Sequence, residues 1–374
     1  MSKKNLLIVT DFYKPHISGI VTYIDQMIFT KKLRDYQITI LTTKHQKNLK
    51  NKETFKNIKI IRCKPTFRIS RGFYSLDLIK TYLKIYKDYN FINIHLPIVE
   101  IFPLIIFLKK KNIIINYHCL PEFNIFAKIF KIYFYFFGFL AVKFAKKNIV
   151  LSKDYFENIF LHKSTIKNLI EIPPYIDKHN KINKNVFKKD TIRIGFLGRI
   201  SNEKGIENLI KLSNLMRKTS LKHELFIAGN IKDIRFKSYI KNILNAAKNN
   251  SNIKFLNQLS DKEKTNFFKS IDVLVLPSTN SLEAFGIVQL EAMSYGVPVI
   301  STDIYGVRTI IRNTANGYLF KKKDINDMYL KLLLLRINKN DPLIIKKITI
   351  GSKIIELNIL LKSSFFIKFF QSFV

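Results

Sequence analysis

Two cysteines, Cys63 and Cys119, are too few in 374 residues for a disulfide framework, which points to a reducing compartment. Neither stands in a cluster with metal-ligand spacing. With 12 glycines and 10 prolines the chain is also poor in the residues that mark low-complexity or disordered sequence. The longest uncharged apolar run, Ile132 to Val142, lies between Lys131 and Lys143, well short of the ~20 residues needed to cross a bilayer. Met1-Ser-Lys-Lys4 has the charge of a secretory leader. The apolar run behind it, Leu6 to Val9, is too short and leads into Asp11, so no signal peptide is expected. Acidic residues are scarce, 27 against 64 Lys and Arg, for a net charge of +37. Such a charge points to an anionic partner or to compositional drift, since the lysines are scattered among abundant Ile, Asn and Phe. A nucleic-acid partner calls for a recognisable module or clustered Arg with stacking aromatics, and neither is there.

What is present is a globular pattern. Hydrophobic residues make up 47% of a chain long enough for two α/β domains, each with its own core. Strand-like runs recur at Asn5–Thr10, Gln37–Leu41, Ile58–Arg62, Phe91–Ile94, Ile113–Tyr117 and Asn148–Ser152. Helical spacing lies between some of them, as at Ser75–Tyr86, and Ser152 is placed to cap a helix running to Phe160. This alternation predicts parallel, doubly wound sheet. Lys178 to Asp190 is polar and aperiodic, and reads as a linker. Strands resume at Thr191–Leu197, Leu225–Gly229, Ile253–Leu256 and Ile271–Pro277, with Ser260 capping a helix before the last of these.

The stretch Ser281 to Pro298, Ser-Leu-Glu-Ala-Phe-Gly-Ile-Val-Gln-Leu-Glu-Ala-Met-Ser-Tyr-Gly-Val-Pro, follows that last strand and reads as a loop and a helix start. In parallel α/β sheets this is where ligands bind. Glu283 stands just before the helix and Glu291 two turns in. Eight helical residues rise roughly 12 Å and turn about 80° beyond two full turns, so both carboxylates can lie along one side. The backbone N–H groups of Phe285, Gly286, Ile287 and Val288 lie between them, and a helix N-terminus favours phosphate. Hydroxyls at both ends and a diphosphate between them describe a nucleotide-sugar. The spacing fits equally a Glu283 that caps the helix and a solvated Glu291.

The run Glu283-Ala-Phe-Gly-Ile-Val-Gln-Leu-Glu291-Ala-Met, followed by Gly296-Val-Pro-Val-Ile300, resembles the E-x7-E signature of family 4 glycosyltransferases, which are retaining enzymes of the GT-B type. The resemblance covers about residues 5 to 330 and is weakest in the N-terminal half. It implies an α/β architecture of two Rossmann-like, doubly wound parallel-sheet domains facing a central cleft. The boundaries expected are an acceptor-binding domain at 1–178, a linker at 179–190, a nucleotide-sugar-binding domain at 191–335, and an atypical tail at 336–374. The resemblance also implies roles. Glu283 meets the donor sugar, Glu291 the ribose, and the amides around Gly286 the diphosphate. Gly198-Arg199…Lys204-Gly205 matches the family's frame of cations that neutralise the departing nucleoside diphosphate. His118 matches a histidine that approaches the sugar from the first domain; His95, also near a strand end, is a weaker candidate. Where the family has a Gly-Gly pair for phosphate approach, this chain has Ser18-Gly19, so only Gly19 matches. Asn316–Phe320 resembles the family's last strand.

The activity so implied is transfer of a hexose from a UDP- or GDP-sugar, with retention, to a lipid-linked or glycan acceptor in bacterial surface glycan synthesis, such as lipopolysaccharide, O-antigen or capsule. Arg199 and Lys204 carry the charge, so no metal or other cofactor is expected. The chain has no Asp-x-Asp motif, which the other major glycosyltransferase fold uses for its cation. No residue stands out as general base, and the departing phosphate oxygen takes the acceptor's proton. From Phe123 to Lys147 phenylalanines interleave with lysines, a pattern suited either to a helix on an anionic membrane or to one packed under the sheet with snorkelling lysines. The location expected is cytoplasmic, on the inner face of the membrane. A Phe-rich tail end, Leu357 to Val374, fits a return helix, a second membrane contact or an aberrant end. Two other functions fit parts of the sequence: a non-catalytic membrane-associated subunit that keeps the fold, and a nucleic-acid-binding protein, which rests on charge alone.

Overall fold

The computed structural model describes residues 4–337 apart from 30–32, 34–35, 70–71, 107–111, 122–127, 161–165, 167, 175 and 177–189. The expected linker and tail therefore lie almost wholly outside the described residues, as does the start of the aromatic stretch at 123–127. The chain divides into two compact units at residues 175–176.

The first unit is built on strands β1 (Asn5–Thr10), β2 (Gln37–Thr43), β3 (Lys52–Phe55), β4 (Ile58–Cys63), a small antiparallel pair β5 (Phe67–Ile69) and β6 (Gly72–Tyr74), then β7 (Phe91–Leu96), β8 (Asn112–Tyr117), β9 (Lys147–Val150) and β10 (Leu169–Glu171). Eight of these form one sheet in the order β10-β9-β8-β7-β1-β2-β4-β3. Every pairing in it is parallel except the edge strand β3, which runs antiparallel to β4. The central strands are mostly apolar and almost wholly buried, as a strand covered on both faces must be, and all six residues of β7, Asn93 and His95 included, are buried. Each Ile or Leu sealed in them contributes about 1.5–3 kcal/mol relative to exposure. The order reverses between β1 and β7, which sets a crevice at their carboxyl ends. Strand β7 extends to Leu96, so His95 lies within it rather than past its end.

Side-chain caps set where several helices begin. Ser18 accepts from Val21 N at the start of Gly19–Ile28, and Ser75 from Leu78 N at the start of Leu76–Ile85. Ser152 caps as expected, but its helix stops at Glu157 rather than Phe160. Helix Lys128–Phe144 buries Phe134, Ala141 and Val142 and leaves Phe130, Ile132 and Phe136 exposed.

The second unit carries six parallel strands: β11 (Ile192–Leu197), β12 (His223–Ala228), β13 (Ile253–Leu256), β14 (Val273–Leu276), β15 (Val299–Thr302) and β16 (Gly317–Phe320). Their order is β13-β12-β11-β14-β15-β16, so this sheet reverses between β11 and β14. Ile194, Phe196, Leu225, Val273 and Val275 form a core with Leu209 and Met216 of helix Ile206–Lys218 and Met328 and Leu332 of helix Ile325–Ile337. Among the described residues no helix is long and apolar enough to cross a membrane.

Candidate active site

In the second unit the two strands at the reversal each end in a charged loop. After β11 the chain runs through Gly198 and Arg199 to a short 3-10 turn, Asn202–Lys204, and then Gly205 before the helix at Ile206. After β14 it runs through Ser278 and Glu283 to Gly286 and the helix Ile287–Ser294. The loops are tied together, since Thr279 N donates to Glu203 O at 2.8 Å. Gly205 is essential to this approach. It adopts φ 65°, and a β-carbon there would stand 2.2 Å from the carbonyl oxygen of Pro277.

The junction brings Lys204 and Glu283 together, 79 residues apart in sequence, in an ion pair between Lys204 Nζ and Glu283 Oε2. Ser278 Oγ donates to the same carboxylate oxygen at 3.4 Å. Both charged side chains are mostly covered, at 20% and 12% exposure, so their attraction is less screened than at an open surface. Arg199 Nη1 lies 3.9 Å from the carboxylate of Glu203.

The helix after this loop, Ile287–Ser294, begins one residue past the helical spacing that runs from Gly286 to Met293. Gly286 has φ 77° and ψ 62°, a left-handed conformation that cannot continue a helix, so the first helical residue is Ile287. Glu283 thus belongs to the loop and does not cap the helix, and Glu291 stands little more than one turn in. Glu291 Oε1 lies 3.8 Å from Lys264 Nζ on the helix Asp261–Ser270, whose start is fixed by a reciprocal Ser260–Glu263 capping box. Phe285 is buried and Val288 packs on the core, which leaves only their backbones for a ligand. A helix start leaves its first amides without intrahelical acceptors, here those of Gly286, Ile287 and Val288.

Gln289 is a residue that the pattern did not single out. Its side chain is buried, and Nε2 donates to Phe285 O at 3.1 Å and to Val307 O at 3.0 Å. It therefore pins the loop end that carries Gly286. The available signal was an amide at an inward position three residues past a glycine.

The remaining candidates belong to the first unit. Gly19 opens the helix Gly19–Ile28; it is exposed and is not one of the positive-φ glycines, so the turn does not depend on glycine's backbone freedom. His118 follows β8 directly, and its amide extends the ladder by donating to Leu96 O at 3.0 Å. It is 4% exposed, and burial pushes its ring down to about 3, so the imidazole is neutral at ordinary pH. His95 Nδ1 lies 2.8 Å from His118 Nε2. Glu100, beyond the end of β7, is fully buried; one oxygen accepts from Ser75 N at 2.6 Å and the other has no partner. Burial raises this carboxyl to about 7.

Residues 177–348 match the model of the family Glycosyl transferases group 1. The Anabaena protein HepE, solved with UDP and glucose, superposes with a TM-score of 0.71 at 16% identity, over 99% of this chain and 100% of that one. The chain has the GT-B fold, and the family match covers most of its second unit. A protein of the cps region of Klebsiella pneumoniae is 27% identical over 58% of this chain and 60% of its own length. The capsular polysaccharide biosynthesis glycosyltransferase CapM of Staphylococcus aureus is 27% identical over 42% of this chain and 40% of its own length. The matched regions thus span less than two thirds of these two relatives.

Proposed function

We propose that this protein is a retaining glycosyltransferase of family 4 that moves a hexose from a UDP- or GDP-sugar to a lipid-linked or glycan acceptor of a bacterial surface polysaccharide. The observation that carries this reading is the junction of Lys204 and Glu283 at the reversal of the second sheet, beside a helix start. A diphosphate suits such a place, where a cation is paired on the loop that leads into a helix start, because both favour phosphate oxygens. As the bond from the anomeric carbon to the diphosphate oxygen breaks, negative charge builds on that oxygen. Lys204, Arg199 and the amides of Gly286 to Val288 stabilise it without reorganising, the logic of an oxyanion hole. The acceptor oxygen bonds to the same face of the sugar, and its proton passes to the departing phosphate oxygen. Glu283 orients the sugar hydroxyls, Glu291 the ribose, and His118 offers its ring to the sugar; Gly198 and Gly19 give the phosphates room.

The relatives support the class of product and of donor. CapM is named for capsular polysaccharide biosynthesis, and HepE was solved with UDP and glucose. Incubation with a panel of UDP- and GDP-hexoses and a polyprenyl-linked acceptor tests the reading: one donor is consumed with transfer and retained anomeric configuration. Release of no sugar from any donor, or transfer with inversion, rejects it.

A peripheral site on the inner leaflet is part of this proposal. Phe102 on the helix Ile101–Ile105, Ile106 just past its end, and Ile132 and Phe136 on the helix Lys128–Phe144 are 47–67% exposed, and Lys131 and Lys143 are exposed on the latter helix. Anionic lipid adds about 1 kcal/mol for each basic residue near its surface. Vesicles containing phosphatidylglycerol should bind the protein well above neutral vesicles; equally weak binding to both removes the membrane from the account.

A further inference from the structure

His95 and His118 of the first unit form a pair. His95 sits in β7 and His118 just beyond β8, on neighbouring parallel strands, with their rings 17° from parallel and 5.1 Å between centroids. Tyr23, on the helix Gly19–Ile28, stands edge-on to both, at 5.2 Å from His118 and 6.3 Å from His95. Its hydroxyl is committed elsewhere, donating to Ile172 O at 3.2 Å, so it serves neither imidazole. One contact links the rings, His95 Nδ1 to His118 Nε2 at 2.8 Å. The far nitrogen of His95, Nε2, is buried and has no hydrogen-bond partner.

We propose that His95 is a positioning residue that fixes the tautomer of His118, donating from its own Nδ1 so that His118 carries its proton on Nδ1 and presents an N–H to the ligand. This rests on the reading above, in which His118 serves the donor sugar.

Two neutral imidazoles share one proton across such a contact, so only two arrangements exist. If His118 donated from Nε2, His95 would hold its remaining proton on Nε2, an N–H sealed from water with no acceptor. Orphaned buried N–H groups are rarer in proteins than under-satisfied acceptors. If His95 donates from Nδ1, its sealed Nε2 bears only a lone pair. His118 Nε2 is then the acceptor and its proton sits on Nδ1. Nδ1 of His118 is not a sealed orphan, so it is the nitrogen left for a ligand. Desolvation supports the neutral state of both rings, holding His118 near 3 and His95 well below the ordinary range. The bond made by one nitrogen of a histidine sets which proton the other carries. A sugar hydroxyl meeting His118 thus finds a donor and must accept.

The test is a long-range proton–nitrogen spectrum of histidine-labelled wild-type protein at pH 7. The account predicts a protonated Nδ1 and a bare Nε2 on both rings. A protonated Nε2 on either ring overturns it. Two variants then link the tautomer to turnover. His95→Asn places an amide donor where Nδ1 stood and should keep the His118 signature and most of kcat. His95→Phe removes the donor and should give mixed His118 signals and about a tenfold fall in kcat with acceptor KM unchanged, the scale of one lost hydrogen bond. An unchanged His118 spectrum and wild-type kcat in a folded His95→Phe protein would also overturn the assignment. The spectrum requires no turnover. A protein that transfers no sugar yet shows the predicted spectrum removes the glycosyltransfer reading and leaves the tautomer standing.

Discussion

The two sheets of this protein reverse in the same way and arm the reversal with opposite chemistry. In the second unit the strand ends carry charged groups that are partly open: Lys204 against Glu283, and Arg199 near Glu203. In the first unit the strand ends carry buried polar groups: His95 and His118, which burial keeps neutral, and Glu100, whose carboxyl it raises to about 7. Under the function proposed, one topology serves two tasks. A crevice for a diphosphate needs permanent charge and free amides. A crevice for hydroxyl-bearing ligands needs oriented dipoles, and sealing them from water keeps those dipoles strong.

Breaking the charged side should have the largest effect. Lys204→Ala and Glu283→Ala are each expected to lower sugar transfer by about 10²–10³-fold, the scale of removing one preorganised stabilising group. The fold should persist, because only a loop side chain is lost; product formation and circular dichroism check both halves. Next is the backbone that permits the junction. Gly205→Ala places a methyl against Pro277 O at a left-handed φ, and should destabilise the protein by about 3 kcal/mol in urea unfolding.

The neutral side should respond to pH. The Glu100 carboxyl titrates near 7 in the folded protein, above the value of about 4.3 for an exposed glutamate. The folded state therefore binds this proton more tightly than the unfolded chain. Its contribution is complete below about pH 4 and is lost as pH rises toward 7 and beyond. Glu100→Gln keeps an oxygen for Ser75 N and cannot ionise. It should gain about 2–3 kcal/mol over wild type at pH 8 and nothing at pH 4, measured by denaturant midpoints. The smallest effect sharpens the comparison. Gln289→Leu removes two buried hydrogen bonds that hold the Gly286 loop, and should cost about 1–3 kcal/mol of stability and some donor affinity while leaving the first unit's pH response unchanged.

Much of this was legible in the residues. The β-branched runs located the central strands to within two residues, because a strand buried on both faces is almost uniformly apolar. Glu283, Arg199, Lys204 and Gly286 stood out through motif spacing. The features that escaped are of another kind. The late helix start follows from the left-handed backbone of Gly286, which no periodicity reports. The antiparallel edge strand β3 is short and carries Lys52 and Glu53, and so has no apolar signature. His95 was placed past a strand that includes it, since two more residues extend β7 into the core. The pairing of His95 with His118, and of Lys204 with Glu283, joins residues 23 and 79 positions apart. Such pairs depend on which strands become neighbours, a property of the sheet order.

The central claim is that Lys204 and the Gly286 helix start hold a nucleoside diphosphate. Calorimetric titration of wild type and Lys204→Ala with UDP- and GDP-hexoses tests it most directly. The account predicts that one of these donors binds wild type and binds the variant at least about tenfold more weakly, the loss of one charge-assisted contact. Equal binding to both proteins, or binding of no donor by wild type, would contradict it.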